Sequence, residues 1–282
     1  MRRTAGTSLS GQSAIVTGAS SGIGAATAEA LAARGVHVML AARRADRIQL
    51  LAASLQQRYG VKALALPTDV TLRSDIDRMV DATEDIFGGV DILVNNAGIG
   101  LSGNLAEMDD QALRRLFDVN VFGAIAAMQA VIPAMRRRQG GVIANISSIL
   151  GRMPAPSMGM VGSSSGYVAS KYALQAFSAC ARMELATEKI HVLTVLPGRT
   201  VSEFDDHFLV GTPGLQKPAS LRRSLLPAAP VEPVARRIIR AIERREREVF
   251  CSWRDHAAVL AANALPDLYE WALIQLRRMR TR

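Results

Sequence analysis

The 282-residue sequence predicts an α/β protein built on one doubly wound parallel sheet. Short apolar runs alternate with helical stretches throughout the chain. The runs are continuous rather than alternating, as in strands buried on both faces. The connections are short, so successive units read as right-handed strand-helix-strand crossovers.

The first run, Ala14 to Val16, leads into the turn Thr17, Gly18, Ala19, Ser20, Ser21, Gly22, Ile23 and Gly24. An alanine-rich helix over about 25–34 follows and stops at Gly35. A glycine turn at such a junction aims unpaired N–H groups and the positive end of a helix dipole at an anion, here a diphosphate. Gly18 permits the turn, Gly22 lets the backbone approach the phosphates, and Gly24 lets helix and strand pack closely. The run 36–40 is the second strand, 46–59 a helix closed by Gly60, and 61–66 the third strand. An acidic residue at the end of the second strand favours NAD by bonding its ribose 2′-hydroxyl. This chain has Ala41, Ala42, Arg43 and Arg44 there, and a guanidinium fork suits a 2′-phosphate. The expected cofactor is therefore NADP(H), with Arg43 the first contact and Arg44 the second.

Further along, a helix over 73–87 precedes the strand 91–94, and a long helix over 109–137 precedes 141–146. A helix over 166–187 precedes 190–196, and one over 233–245 precedes a last strand at 247–252. Between 198 and 230 lies a stretch rich in Pro, Ser, Gly and Leu; at this length in a compact domain it is either disordered or functional, often as a lid.

These elements carry a set of motifs in one order: the turn 17–24, Asp69-Val70, Asn95-Asn96-Ala97-Gly98, Asn120, Ser148, Tyr167 with Lys171, and Pro197-Gly198. In this the sequence resembles the short-chain dehydrogenase/reductase family and is similar to its classical branch, over about residues 10–205. The resemblance implies a Rossmann-type sheet of about seven strands, helices on both faces, and cofactor and active site in one domain, 1–252. It implies an adenine contact at Asp69 beside Val70, a structural role for Asn95, and cofactor contacts at Ser20, Ser21, Ile23, Asn96, Ala97, Gly98, Pro197, Gly198 and Thr200.

The chemistry rests on Tyr167 and Lys171, four apart on one helix face. A nearby ammonium stabilises a phenolate, which brings a tyrosine proton within reach of neutral pH. The resemblance makes Tyr167 the general acid for carbonyl reduction and the base for alcohol oxidation. Lys171 tunes it and holds the nicotinamide ribose, Ser148 bonds the substrate oxygen, and Asn120 holds the water of a proton relay. Ser147 and Ser148 point to opposite faces, and the pattern Ser148-Ile149-Leu150-Gly151 selects Ser148. Thr200 stands where the family usually has a β-branched apolar residue, so Ser202 inherits the hydroxyl role. The segment between Ser148 and Tyr167 is long and holds Met153, Met158 and Met160; with Phe204, Phe208 and Leu209 these suggest a bulky apolar carbonyl or alcohol. The expected activity is hydride transfer between the nicotinamide and that substrate. A dinucleotide-binding regulator or a non-redox, epimerase-like enzyme is the competing reading.

Bulk properties set the remaining expectations. With 49% hydrophobic and 21% charged residues the chain has ample core. The net charge of +9 is concentrated from residue 222 onward, where thirteen arginines accompany seven acids with few aromatics, so solvated helix faces are expected and nucleic acid is not. No apolar run is expected to reach a membrane span. Residues 1–6 lack the apolar segment of a secretory signal, which makes the cytoplasm the default. Cys180 and Cys251 read as buried small residues, and no metal is implied. Residues 253–282 read as a C-terminal extension with an amphipathic helix, its stripe formed by Leu265, Leu268, Tyr269, Ala272, Leu276 and Met279. Packing on the same or a partner subunit of a homodimer or homotetramer is one reading of that stripe. The sharper one is peripheral attachment to an anionic membrane.

Overall fold

β1 (Ser13–Thr17) is buried along its whole length, and its side chains divide between the faces of the sheet. Ala14 and Val16 enter one apolar core and Ile15 the other, as the two-residue period of a strand requires. The computed structural model describes residues 8–103, 105–154, 165–204, 208–211 and 228–280, the side chains of residues 277 and 280 excepted. The basic residues 1–6, the methionines at 158 and 160, and residues 205–207 and 212–227 of the long stretch therefore lie outside the described residues.

After β1 the chain forms α1 (Gly22–Ala32), β2 (His37–Ala42), α2 (Ala45–Tyr59), β3 (Ala63–Pro67), α3 (Arg73–Phe87) and β4 (Ile92–Asn95). It continues through β5 (Leu101–Ser102), α4 (Asp110–Phe117), a π turn (Asp118–Phe122), α5 (Gly123–Arg137), β6 (Gly141–Ile146), α6 (Ser165–Glu184) and β7 (Ile190–Leu196). Then come β8 (Leu209–Val210), α7 (Val231–Arg244), β9 (Glu248–Phe250), α8 (Trp253–Ala264) and α9 (Pro266–Arg280). Seven strands make one parallel sheet in the order β3-β2-β1-β4-β6-β7-β9. This is the doubly wound sheet expected from the sequence. On one face Leu31 of α1, Ile48 and Leu55 of α2, and Ile238 and Ile242 of α7 close the core; on the other, Ile76 and Met79 of α3 and Val131 and Met135 of α5 do so. The winding reverses between β1 and β4, and the crevice at such a reversal, outside the strand C-termini, is where α/β sheets bind ligands.

Several expectations change in detail. The long helix 109–137 is interrupted by the π turn, which inserts an extra residue where Asn120 turns its amide to the neighbouring backbone. Gly123 opens α5 tight against Val70, whose carbonyl a Cβ would meet at 2.8 Å. The 110–137 stretch also contains an 18-residue window of mean hydropathy 1.5, long and apolar enough to cross a membrane by composition, contrary to expectation; half of that window is buried inside the fold. Helix α6 ends at Glu184, before a short 3-10 turn (Ala186–Glu188), and β9 is shorter than 247–252. The tail is two helices, broken at Leu265 with Pro266 at the first position of α9, where its missing N–H costs nothing. Cys180 is exposed rather than buried, because it shares the outward face of α6 with Phe177 and Met183. The β5–β8 pair joins the loop after β4 to the stretch after β7.

Candidate active site

The turn after β1 is held from β4. The Asn96 Nδ2 donates to the carbonyls of Thr17 and Gly18 at 3.1 Å each, and Thr17 Oγ1 accepts from the amides of Asn96 (3.0 Å) and Ala97 (3.1 Å). A Cβ on Gly18 would lie 2.9 Å from Ala97 Cα and from Asn96 Nδ2, so a larger residue would break this seam. The seam leaves the N-terminus of α1 open. Ser21 at its N-cap makes no side-chain cap, and Gly18, Ser20, Ser21, Gly22 and Ile23 all line one cleft of about 690 Å³. A bare helix N-terminus beside a glycine turn fits a dinucleotide diphosphate. Gly24, the third glycine of the turn, does not line the cleft where a cofactor would lie; it packs behind the turn, where a Cβ would meet Gly18 O and Asn96 Nδ2 at 2.4 Å.

At one end of the cleft, Arg43 and Arg44 follow β2. Arg43 is exposed and forms no hydrogen bond or ion pair among the described residues. Arg44 donates from Nε (3.0 Å) and Nη2 (2.8 Å) to Ser20 Oγ, and from Nη2 to Ser21 Oγ at 2.7 Å. Its Nη1 pairs with Glu203 at 2.8 Å. Asp69 and Val70 line the neighbouring wall. Burial pushes the Asp69 carboxyl up, but bonds from the Thr71 amide and hydroxyl, with Arg115, outweigh it and hold it below the usual range.

At the other end, Ser148, Tyr167 and Lys171 converge, each at most 9% exposed. Ser148 ends the backbone run after β6, and its Oγ accepts from the Leu150 amide at 3.1 Å. Ser147 faces away and donates to Lys171 O at 3.2 Å, so the alternation places it behind Ser148. The Lys171 Nζ donates to Ile146 O at 3.0 Å and lies 5.7 Å from the centre of the Tyr167 ring. Burial lowers its pKa from 10.5 to about 8. Asn120 does not line the cleft: its Oδ1 accepts from Ile99 N (2.8 Å) and its Nδ2 donates to Ile99 O (3.0 Å) and Ser170 Oγ (3.1 Å). It underlies Gly98, where a Cβ would meet Asn120 Oδ1 at 3.3 Å and Lys171 Nζ at 3.7 Å. Asn95 ties β4 to β6 and α5 through Asn145 Oδ1 (2.9 Å) and Ala124 O (3.1 Å).

Pro197, Gly198, Thr200 and Ser202 line the cleft between its ends, with Asn96, Ala97 and Gly98 opposite. Phe204 packs 5.7 Å from the Tyr167 ring and 5.3 Å from Phe208, ring centre to ring centre. Met153 and Leu209 join the same apolar cluster, together with Val259 and Ala262 of α8, so the wall of the site extends past residue 252. Two acids at the site do not stand out in the sequence. Asp255 lines the cleft from the first turn of α8, its carboxylate against Gly198, and Glu203, between the lining residues Ser202 and Phe204, pairs with Arg44. Among the described residues no group of three or more His, Cys, Asp or Glu is placed to hold a metal.

Comparison with known proteins agrees with this geometry. The family model described as short chain dehydrogenase matches residues 12–208. A dehydrogenase/reductase SDR family protein 7-like from Anopheles gambiae is 32% identical over 270 residues, covering 94% of this chain and 83% of its own. The L-sorbose reductase of Gluconobacter frateurii, solved with NADPH and L-sorbose, superposes with TM-score 0.73 at 29% identity, over 86% of this chain and 95% of that one. A short chain dehydrogenase/reductase from Burkholderia phymatum, solved with NAD, reaches TM-score 0.79 over 93% and 96% of the two chains, and at 23% identity it speaks for the fold. With its sheet, its cleft and its motifs in agreement, this chain belongs to the short-chain dehydrogenase/reductase family of oxidoreductases.

Proposed function

We propose that the chain is an NADP(H)-dependent oxidoreductase acting on a carbonyl group or the matching secondary alcohol of a bulky apolar molecule. The observation that carries this is the convergence of Ser148, Tyr167 and Lys171 in a cleft whose far end offers Arg43 and Arg44 and no acid at the end of β2. The bound nicotinamide supplies or accepts the hydride. Gly18 to Ile23 hold the diphosphate at the α1 N-terminus, Arg43 and Arg44 the 2′-phosphate, Asp69 and Val70 the adenine, and Asn96 to Gly98 with Pro197, Gly198 and Thr200 the nicotinamide half. Tyr167 gives its proton to the substrate oxygen in reduction and takes it back in oxidation. Lys171, with a pKa of about 8, is mostly protonated at neutral pH and stabilises the phenolate. Ser148 donates to the same oxygen as charge develops on it. The Asn120 side chain is spent on Ile99 and Ser170, so its part is to fix the backbone beside Lys171 that holds the relay water. Phe204 and Phe208, which line the cleft, favour an apolar substrate, with Met153 in the apolar cluster that holds Phe204.

Purified protein is expected to consume NADPH with apolar ketones or aldehydes. Tyr167→Phe, which keeps the ring and removes the exchangeable proton, should bind NADPH normally and lose at least ~100-fold in turnover. Near-normal turnover in that variant would move the proton transfer elsewhere. NADPH binding without turnover of any carbonyl in a broad panel would favour the regulatory or non-redox reading.

Two surfaces complete the proposal. Tyr172, Phe177 and Met183 are exposed along α6, and a second copy of the chain is the occupant we assign to that face. Of the α9 stripe, Tyr269 packs on the body, whereas Leu265, Leu268, Leu276 and Met279 face outward with Trp271 and Ile274, close in the chain to Trp253 and Leu260 of α8. Exposed indoles among arginines suit the boundary of an anionic bilayer, and we assign that surface to peripheral contact from the cytoplasm.

A further inference from the structure

The residues after Gly198 run along the cleft as a strap. Ser202 lies against the glycine turn, its Cβ 3.0 Å from where a Cβ on Gly22 would be. Phe204 packs on Tyr167. Between them Glu203 reaches the arginines after β2: one carboxylate oxygen accepts from Arg44 Nη1 at 2.8 Å, and Arg47 Nη1 donates to both oxygens at 2.7 and 2.6 Å. Hydrogen bonds from Arg47 and then Arg44 hold the carboxyl at about 2, so it is ionised at any working pH. A carboxylate thus sits on the guanidinium that also grips Ser20 and Ser21 at the cleft.

Resting on the NADP(H) reading above, we propose that Glu203 is a cofactor-discriminating residue, an internal anion that competes with the 2′-phosphate for Arg44 and Arg47. The side chains of all three are 30–43% exposed, so each pair is a weak, solvent-screened one and a phosphate can displace the carboxylate. The displaced carboxylate still faces a dianion across the same arginines, and that repulsion lowers the affinity for NADPH. NADH carries no 2′-phosphate and does not contest the site. Since Ser202 and Phe204 flank Glu203, taking Arg44 from it also shifts the strap against the glycine turn and Tyr167.

Dissociation constants for NADPH and NADH, measured by fluorescence titration of the full chain, test this. Glu203→Gln is expected to tighten NADPH about fivefold at low salt, to leave NADH within about twofold, and to lose the gain as salt screens the charges. Glu203→Asp, which keeps the charge, should stay close to wild type. An unchanged NADPH to NADH ratio in Glu203→Gln overturns the inference, as does an equal weakening of both cofactors, which marks a merely structural residue. Arg43→Ala separates this result from the reading beneath it. If wild type and Arg43→Ala both bind the two cofactors equally, the NADP(H) preference falls, while a shift toward NADPH in Glu203→Gln still upholds the role of the carboxylate.

Discussion

Lys171 is a cation the fold holds at a cost. Its folded pKa of about 8 lies below the free value of 10.5 because burial disfavours the charged form. Between those two values the unfolded chain holds a proton that the folded chain has released, so this group makes stability rise with pH across that window. Below about pH 8 both states are protonated and the penalty is present in full. Lys171→Met keeps the stem and removes the charge; it should stabilise the cofactor-free protein at pH 7 by roughly 1 to 3 kcal/mol, the lower end reflecting the lost bond to Ile146 O. Urea unfolding at pH 7 and pH 10 is the measurement, and a variant no more stable than wild type at pH 7 contradicts the assignment. Tyr167 and Lys171 were legible in the sequence because both lie on one helix, where spacing alone sets the face. Glu203 was not: its partner Arg44 stands 159 residues earlier, and an acid in a stretch that also holds Asp205 and Asp206 does not announce which cation it will meet.

Among the elements, the first strand-turn-helix unit is the most tightly specified. Gly24→Ala forces a Cβ to 2.4 Å from Gly18 O and Asn96 Nδ2, so the turn or the seam to β4 must move. The expected result is a loss of about 1–3 kcal/mol together with weaker cofactor binding. Gly60→Ala is the control: nothing lies within 4 Å of its added Cβ, so its cost is the strain of φ +66 alone and cofactor affinity should not change. Equal effects of both variants on cofactor binding would deny the turn its special role. Strands and helices were readable because continuous apolar runs and glycine stops are properties of the local sequence. The π turn was not, since one extra residue in a turn leaves no compositional trace and is held by contacts from Asn120 to Ile99 and Ser170. The β5–β8 pair escaped for a similar reason, with two residues on each side being too short for a period.

For the whole molecule, the expected α9 stripe divides into a packed edge and an outward one, a split that periodicity could not show because both edges are apolar. Trp253 and Trp271 are 77% and 59% exposed. Full-length protein should float with anionic liposomes, less so as salt rises, and a chain lacking residues 265–282 should not. If full-length protein ignores the liposomes and the deletion alters only the oligomeric state, α9 is a subunit interface. The tail is also fastened to the site: Asn263 Nδ2 donates to Arg152 O at 3.2 Å and the Tyr269 hydroxyl to Pro154 O at 2.9 Å, gripping the segment that leaves Ser148. Docked on lipid through this tail, as proposed, the enzyme would draw an apolar substrate from that lipid. Its rate then follows the mole fraction of substrate in that lipid, and adding inert lipid at constant total substrate slows it by surface dilution.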